Sequence, residues 1–232
     1  VSAEQNAQCE QVIAHFDEFV DGIFAPLEAW LPRLQQQLSE RLVQGPITGA
    51  QLTALVEAEA HAVLESTDRP LYGAGFCAAE NVVDEGNPLS WWQGPERALL
   101  ASSTFGPGQA AIDLHRLEWY RVPASTLERH IAGPFVDYLC SNEITLTASI
   151  PLMLDGKFSG VLCADVLVAS LEDLLLPMLH NLDGAALVNS SGRVVVSTHH
   201  GYETGDRFAS DVESVRSERY PFSLALPSPV AA

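Results

Sequence analysis

Apolar residues recur at three- and four-residue steps through the first third of the chain. Val12, Ile13, Phe16, Phe19, Val20, Ile23 and Phe24 fall on one helical face, and Leu27, Trp30, Leu31, Leu34 and Leu38 continue it. Pro26 and Pro32 interrupt the stripe, each removing an amide donor, which predicts a kink or short break. Gly45-Pro46 ends the run. A second helix starts at Thr48, where Thr48 and Gln51 form a capping box and Ile47 and Leu52 a hydrophobic staple. Its buried stripe is Leu52, Leu55, Val56, Val63 and Leu64, and it stops before Asp68-Arg69-Pro70.

Beyond Pro70 the period shortens to that of strands. Leu71 to Val83 suits a strand with a small-residue face. Ala98 to Phe105 and Ala110 to Ile112 flank Gly106-Pro107-Gly108, a hairpin signal, and Asp113 caps a short helical segment containing Trp119 and Tyr120. Ile144 to Met153 and Lys157 to Val166 flank Asp155-Gly156, the strongest hairpin signal present. Ser170 to His180 is a Leu-rich helix. Ala185 to Asn189 and Arg193 to Ser197 flank a Ser190-Ser191-Gly192 turn. Hairpin-linked strands predict an antiparallel sheet and an α+β fold, not a parallel one. The expected organisation is a helical segment over 1–68, a ligand-binding domain over 69–220 and a loose tail over 221–232.

Charge narrows the partners. The 12 Lys+Arg against 30 Asp+Glu give a formal charge of −18, which repels nucleic acid and anionic membranes. No apolar run reaches the roughly 20 residues of a membrane span, and no basic-then-apolar leader opens the chain, so a cytoplasmic protein is expected. Cys9, Cys77, Cys140 and Cys163 are scattered, as buried free thiols are. The chain has no phosphate loop, no G-x-S-x-G elbow and no H-E-x-x-H, and His199-His200 alone make no metal site. No cofactor and no catalytic activity are expected.

The denser signal is a set of aromatic and carboxylate residues in a fixed order. Trp119-Tyr120 is followed by Gly133-Pro134-Phe135-Val136-Asp137-Tyr138, and then by Glu143 to Pro151, the Asp-Gly turn and Gly160-Val161-Leu162-Cys163-Ala164-Asp165. This run, about Leu99 to Ser197, resembles the Cache (PDC) sensor domains of the PAS-like superfamily. Their signature is a W-Y pair, then G-P-Y-x-D, then a strand–turn–strand ending in G-V-x-G-A-D. Gly73-Ala-Gly-Phe76, Leu89-Ser-Trp-Trp92 and Asp137-Tyr-Leu-Cys140 are similar to a soluble bacterial branch. The resemblance implies a single Cache unit: a central antiparallel sheet, a long N-terminal helix against it, and a ligand pocket on one sheet face.

One Cache subgroup binds amino acids, with aromatic residues and two carboxylates around the ammonium and an Arg on the carboxylate. By that resemblance Trp119 and Tyr120 take the W-Y positions, Phe135 replaces the usual Tyr, and Asp137 and Asp165 are the two carboxylates, with Trp92 as a wall. Ionised carboxylates and aromatic faces suit a cation, each ring adding about 0.5–2 kcal/mol. The family's Arg position, two before the Trp, is Leu117, with Arg116 and Arg121 displaced on either side. The ammonium half is kept, so the expected ligand is a small amine, with an amino acid as the alternative. The expected function is a sensor that signals through its N-terminal helices to a separate regulator or transporter, as a homodimer. A hydrolase using Asp137 and Asp165 as an acid–base pair is the enzymatic alternative.

Overall fold

The computed structural model describes residues 3–66, 68–100, 104–105, 110–111, 113–136, 143–208 and 213–226. The chain opens with α1 (Ala3–Arg41), 39 residues and about 58 Å long. Neither Pro26 nor Pro32 interrupts it, so the short break allowed for by the sequence does not occur. Ile23, Phe24, Leu27, Trp30, Leu34 and Leu38 all bury their side chains around the two prolines. At about 1.5–3 kcal/mol per large apolar side chain, that burial outweighs about 3 kcal/mol for each proline.

A two-residue strand, β1 (Ile47–Thr48), leads into α2 (Gly49–Glu65). The Thr48 hydroxyl accepts from the Gln51 amide at 3.3 Å, and Gln51 Oε1 accepts from the Thr48 amide at 3.0 Å, the reciprocal cap the sequence predicts. Then come β2 (Leu71–Ala78), β3 (Val83–Glu85), β4 (Leu89–Gln93), β5 (Ala98–Leu99), β6 (Thr104–Phe105) and β7 (Ala110–Ala111). The Gly106-Pro107-Gly108 turn between the last two lies outside the described residues. Asp113 caps a 3-10 turn at Leu114–Arg116 rather than the helix proper, α3 (Glu118–Thr126), which starts after Leu117. β8 (His130–Val136), β9 (Ile144–Leu154) and β10 (Lys157–Leu167) follow, then α4 (Val168–Leu179). The chain ends in β11 (Ala186–Asn189), β12 (Val194–Ser197), β13 (Glu213–Arg216) and β14 (Phe222–Leu226).

The central sheet has six strands in the order β5-β4-β2-β10-β9-β8, antiparallel throughout. Its β9–β10 hairpin turns on Asp155 (φ +49°) and Gly156 (φ +75°), the positive-φ pair that an Asp-Gly turn supplies. α1 and α2 cover one face of it. A second sheet, β12-β11-β14-β13, was not expected as a separate unit. It takes the last predicted hairpin away from the central sheet. Phe222–Leu226, placed by the sequence reading in a loose tail, is one of its inner strands, and Phe222 and Leu224 are buried. Alternation along Phe-Ser-Leu-Ala-Leu explains why: every second side chain has a core to enter.

One core joins the two sheets through α1. Phe16 meets the Phe222 ring at 4.9 Å, and Phe24 stacks on Tyr220 at 5.9 Å. Farther along, Gln35 donates to the Met153 carbonyl of the central sheet at 3.1 Å. Among the described residues no helix is long and apolar enough to cross a membrane.

Candidate functional site

Strand alternation divides the central sheet into two unlike faces. On β10, Leu162, Ala164 and Val166 enter the core under the helices, while Val161 and Cys163 belong to a separate cluster on the other side. Asp165 is in step with that second set. The same parity places Gly73, Gly75 and Cys77 of β2 on the second face, with Thr145, Thr147 and Ser149 of β9. Thr145, Thr147, Ser149 and Asp165 are buried polar residues in a row of small side chains and glycines.

Asp165 stands opposite Gly73 on one side and Thr147 on the other. The Thr147 hydroxyl donates to Asp165 Oδ1 at 2.5 Å, which fixes the carboxylate over the sheet. Asp165 lies inside its strand and does not cap α4, whose first turn follows Leu167. Glycine opposite Asp165 makes room for an aromatic wall. A Cβ on Gly73 would stand 2.9 Å from Cζ2 and Nε1 of Trp91, so the indole lies directly on that backbone. Trp91 Nε1 is buried without a hydrogen-bond acceptor, and Thr145 Oγ1 is buried without any partner, among the described residues. Each such atom costs about 1–3 kcal/mol if nothing fills its valence. Both belong to the face that carries Asp165.

The sequence-predicted residues divide as follows. Trp119, Tyr120 and Phe135 share the cluster on this face, and Phe135 sits opposite Thr145. Tyr120 packs at the far end, with its ring 5.5 Å from Phe158 and Cys77 and Glu80 nearby. Phe158 and Asp165 are seven residues apart on β10, about 23 Å at strand rise. Burial pushes the Tyr120 hydroxyl above its ordinary range, as it does the Cys77 and Cys163 thiols. Asp137 lies outside the described residues, as do Tyr138 and Cys140. Trp92 is a correction: it points to the helices, joins the main core and meets His61 edge-on at 5.7 Å. Its neighbour Trp91 forms the wall instead, because adjacent strand residues face opposite ways.

Leu117 is the residue before α3 and packs against the aromatic cluster. Arg116 is 85 % exposed and pairs with Asp113 at 3.8 Å, and Arg121 is exposed. Neither guanidinium replaces the missing Arg. A 2.9 Å bond from His130 Nε2 to Glu118 Oε1 ties α3 to β8 above the sheet. The sequence reading weighed Trp91 beside Trp92 as a wall and chose Trp92, and it passed over Thr145, Thr147 and Ser149. The signal for the last three was present: Ile-Thr-Leu-Thr-Ala-Ser alternates polar and apolar in a strand whose two faces are both buried.

No protein-family model and no curated protein matches the chain. Solved structures do. The ligand-binding domain of the Pseudomonas aeruginosa PAO1 amino-acid chemoreceptor PctC, in complex with GABA, superposes with a TM-score of 0.54 at 17% identity, over 96% of this chain and 98% of that one. The sensory domain of the Campylobacter jejuni chemoreceptor Tlp3, with isoleucine bound, gives 0.51 at 12% identity, over 95% and 94%. An extracellular ligand-binding receptor from Desulfohalobium retbaense gives 0.60 at 10% identity, over 97% of this chain and 40% of that one. With its long helix and antiparallel sheet, covered on one face by α1 and α2 and on the other by α3, the chain has the fold of the Cache (PDC-type) sensor domains.

Proposed function

We propose that the chain is a non-catalytic sensor domain that binds a small amine on the α3 side of its central sheet, opposite α1 and α2. One observation carries this reading: a buried carboxylate, Asp165, set among glycines and hydroxyls beside Trp91, with Trp119 and Phe135 on the same face. An ammonium there gains charge-assisted hydrogen bonds and aromatic faces, and it is the partner that a buried carboxylate favours over a neutral ligand. Asp137, which follows Val136 in the sequence, is the second carboxylate of this proposal. Leu117, and the outward direction of Arg116, favour an amine without an α-carboxylate.

The second reading, an amino acid, draws on Trp91 Nε1 and Thr145 Oγ1, two buried groups that a ligand carboxylate could engage without a guanidinium. The bound GABA and isoleucine of the compared receptors support it. A thermal-shift panel of amines beside the corresponding amino acids separates the two. Amines alone should raise the melting temperature, and Asp165→Asn should abolish the shift. A shift by amino acids alone transfers the site to the second reading, and an undiminished shift in Asp165→Asn removes Asp165 from it.

Signal output is proposed to run through α1. Its apolar stripe is consumed by the two sheets of its own chain, so a homodimer formed through α1 uses the helix's polar side. The cytoplasmic location expected from sequence gains nothing from the comparisons. The extracellular Desulfohalobium receptor favours a domain that samples the medium.

A further inference from the structure

The second sheet has its own cavity, remote in sequence from the amine site. It opens over the outer face of β11, β13 and β14 and measures about 620 Å³. That falls within the ~300–1,000 Å³ of small-molecule pockets. Its floor is apolar: Val188, Ala225 and Phe208 belong to one buried cluster. Arg207 and Arg216 line it from two different segments, and among the described lining residues there is no carboxylate. This is unusual in a chain with 30 acidic residues and 12 basic ones.

The charge is available. Arg207 and Arg216 form no ion pair among the described residues, whereas Arg33, Arg69, Arg97, Arg116, Arg129 and Arg219 all do. Ser214 and Ser223, in register with the apolar floor, line the cavity as well, and their hydroxyls have no hydrogen-bond partner among the described residues. The walls are held in place from behind. Asn189 donates to the Gly133 carbonyl of β8 at 2.8 Å, Ser217 to Asp17 at 2.7 Å, and the Tyr220 hydroxyl to Asp21 at 2.5 Å. Guanidinium forks with neighbouring hydroxyls over an apolar floor match an oxyanion on a small organic body.

We propose that this cavity is a second ligand site, for a small organic anion bearing carboxylate or phosphate groups. It is independent of the amine site and stands or falls separately.

The test is a thermal melt and calorimetric titration of the whole chain with acetate, citrate and inorganic phosphate, each against sodium chloride at matched ionic strength. At a hundredfold excess over its dissociation constant, a bound anion raises the melting temperature by about 5 °C. The arm that responds tells carboxylate from phosphate. Arg207→Glu/Arg216→Glu, changed at exposed side chains and checked by an unaltered circular dichroism spectrum, should weaken binding at least about a hundredfold. The proposal is overturned if none of the three anions moves the melt beyond chloride, or if the shift persists in the double variant.

Discussion

The two faces of the central sheet are made from alternate residues of the same strands, and they differ in chemistry. Toward the helices, Ala74, Phe76, Leu146, Ala148, Leu162 and Ala164 close a continuous apolar core. On the other side the same strands present Gly73, Thr145, Thr147, Ser149 and Asp165. Among the described residues, unpaired buried polar atoms occur on both sides, Trp30 Nε1 under the helices and Trp91 Nε1 and Thr145 Oγ1 opposite, and the second face adds a row of buried hydroxyls around a carboxylate. Under the proposed function, stability and recognition are divided by parity rather than by domain, with each strand contributing to both.

The comparison breaks most visibly on the helix side. Phe76→Ala should lower stability by about 3–5 kcal/mol in denaturant unfolding. A loss under about 1 kcal/mol would mean that this face is not packed as described. On the opposite face, Asp165→Asn should cost ligand affinity about a hundredfold while shifting unfolding by no more than about 1 kcal/mol. Calorimetry beside unfolding checks both halves, and equal losses in the two would erase the distinction. Thr145→Val sharpens it further. Exchanging a buried hydroxyl without a partner for a methyl group should leave ligand-free stability unchanged or raise it by up to about 1 kcal/mol. A drop of about 2 kcal/mol would show that the hydroxyl is satisfied without ligand.

The smallest effect concerns another buried carboxylate. Burial raises the Asp17 carboxyl above its ordinary value, against the lowering effects of Ser217 and Arg219. The folded state therefore holds this proton more tightly than the unfolded one. Asp17 contributes stability fully present below its unfolded value of 3.8, and this is lost as pH rises through the raised folded value. Asp17→Asn should flatten that part of the stability–pH curve between about pH 4 and neutrality. An unchanged slope would assign it to another group.

Much of the fold was legible because local signals agreed with tertiary need. The Thr48–Gln51 cap, the Asp155-Gly156 turn and the stripe from Val12 to Leu38 are each specified within a few residues. What failed was non-local. Nothing near Ala186 says that its hairpin leaves the central sheet, and nothing near Phe222 says that a partner strand awaits it. Prolines in α1 looked disruptive because their local penalty is visible in sequence and the compensating burial is not. Residue types in order single out Asp165 and Trp119, which the fold brings to one sheet face. The choice between Trp91 and Trp92 needed a strand register, since one residue's slip exchanges the faces. Tyr120 shows the same limit: adjacency to Trp119 did not place it near Asp165.

α1 reaches both sheets, and the changeover falls near its prolines. Phe16 and Phe24 lie against β14 and Tyr220, whereas Glu28 pairs with Arg129 at 2.7 Å and Gln35 reaches β9. Pro26 stands between these attachments and adds no amide hydrogen to the ladder. Mechanically, the helix is a beam clamped at two places and softened between them. From Pro26 to Ala3 the arm is about 35 Å, so a tilt of about 5° at the soft point carries Ala3 through about 3 Å.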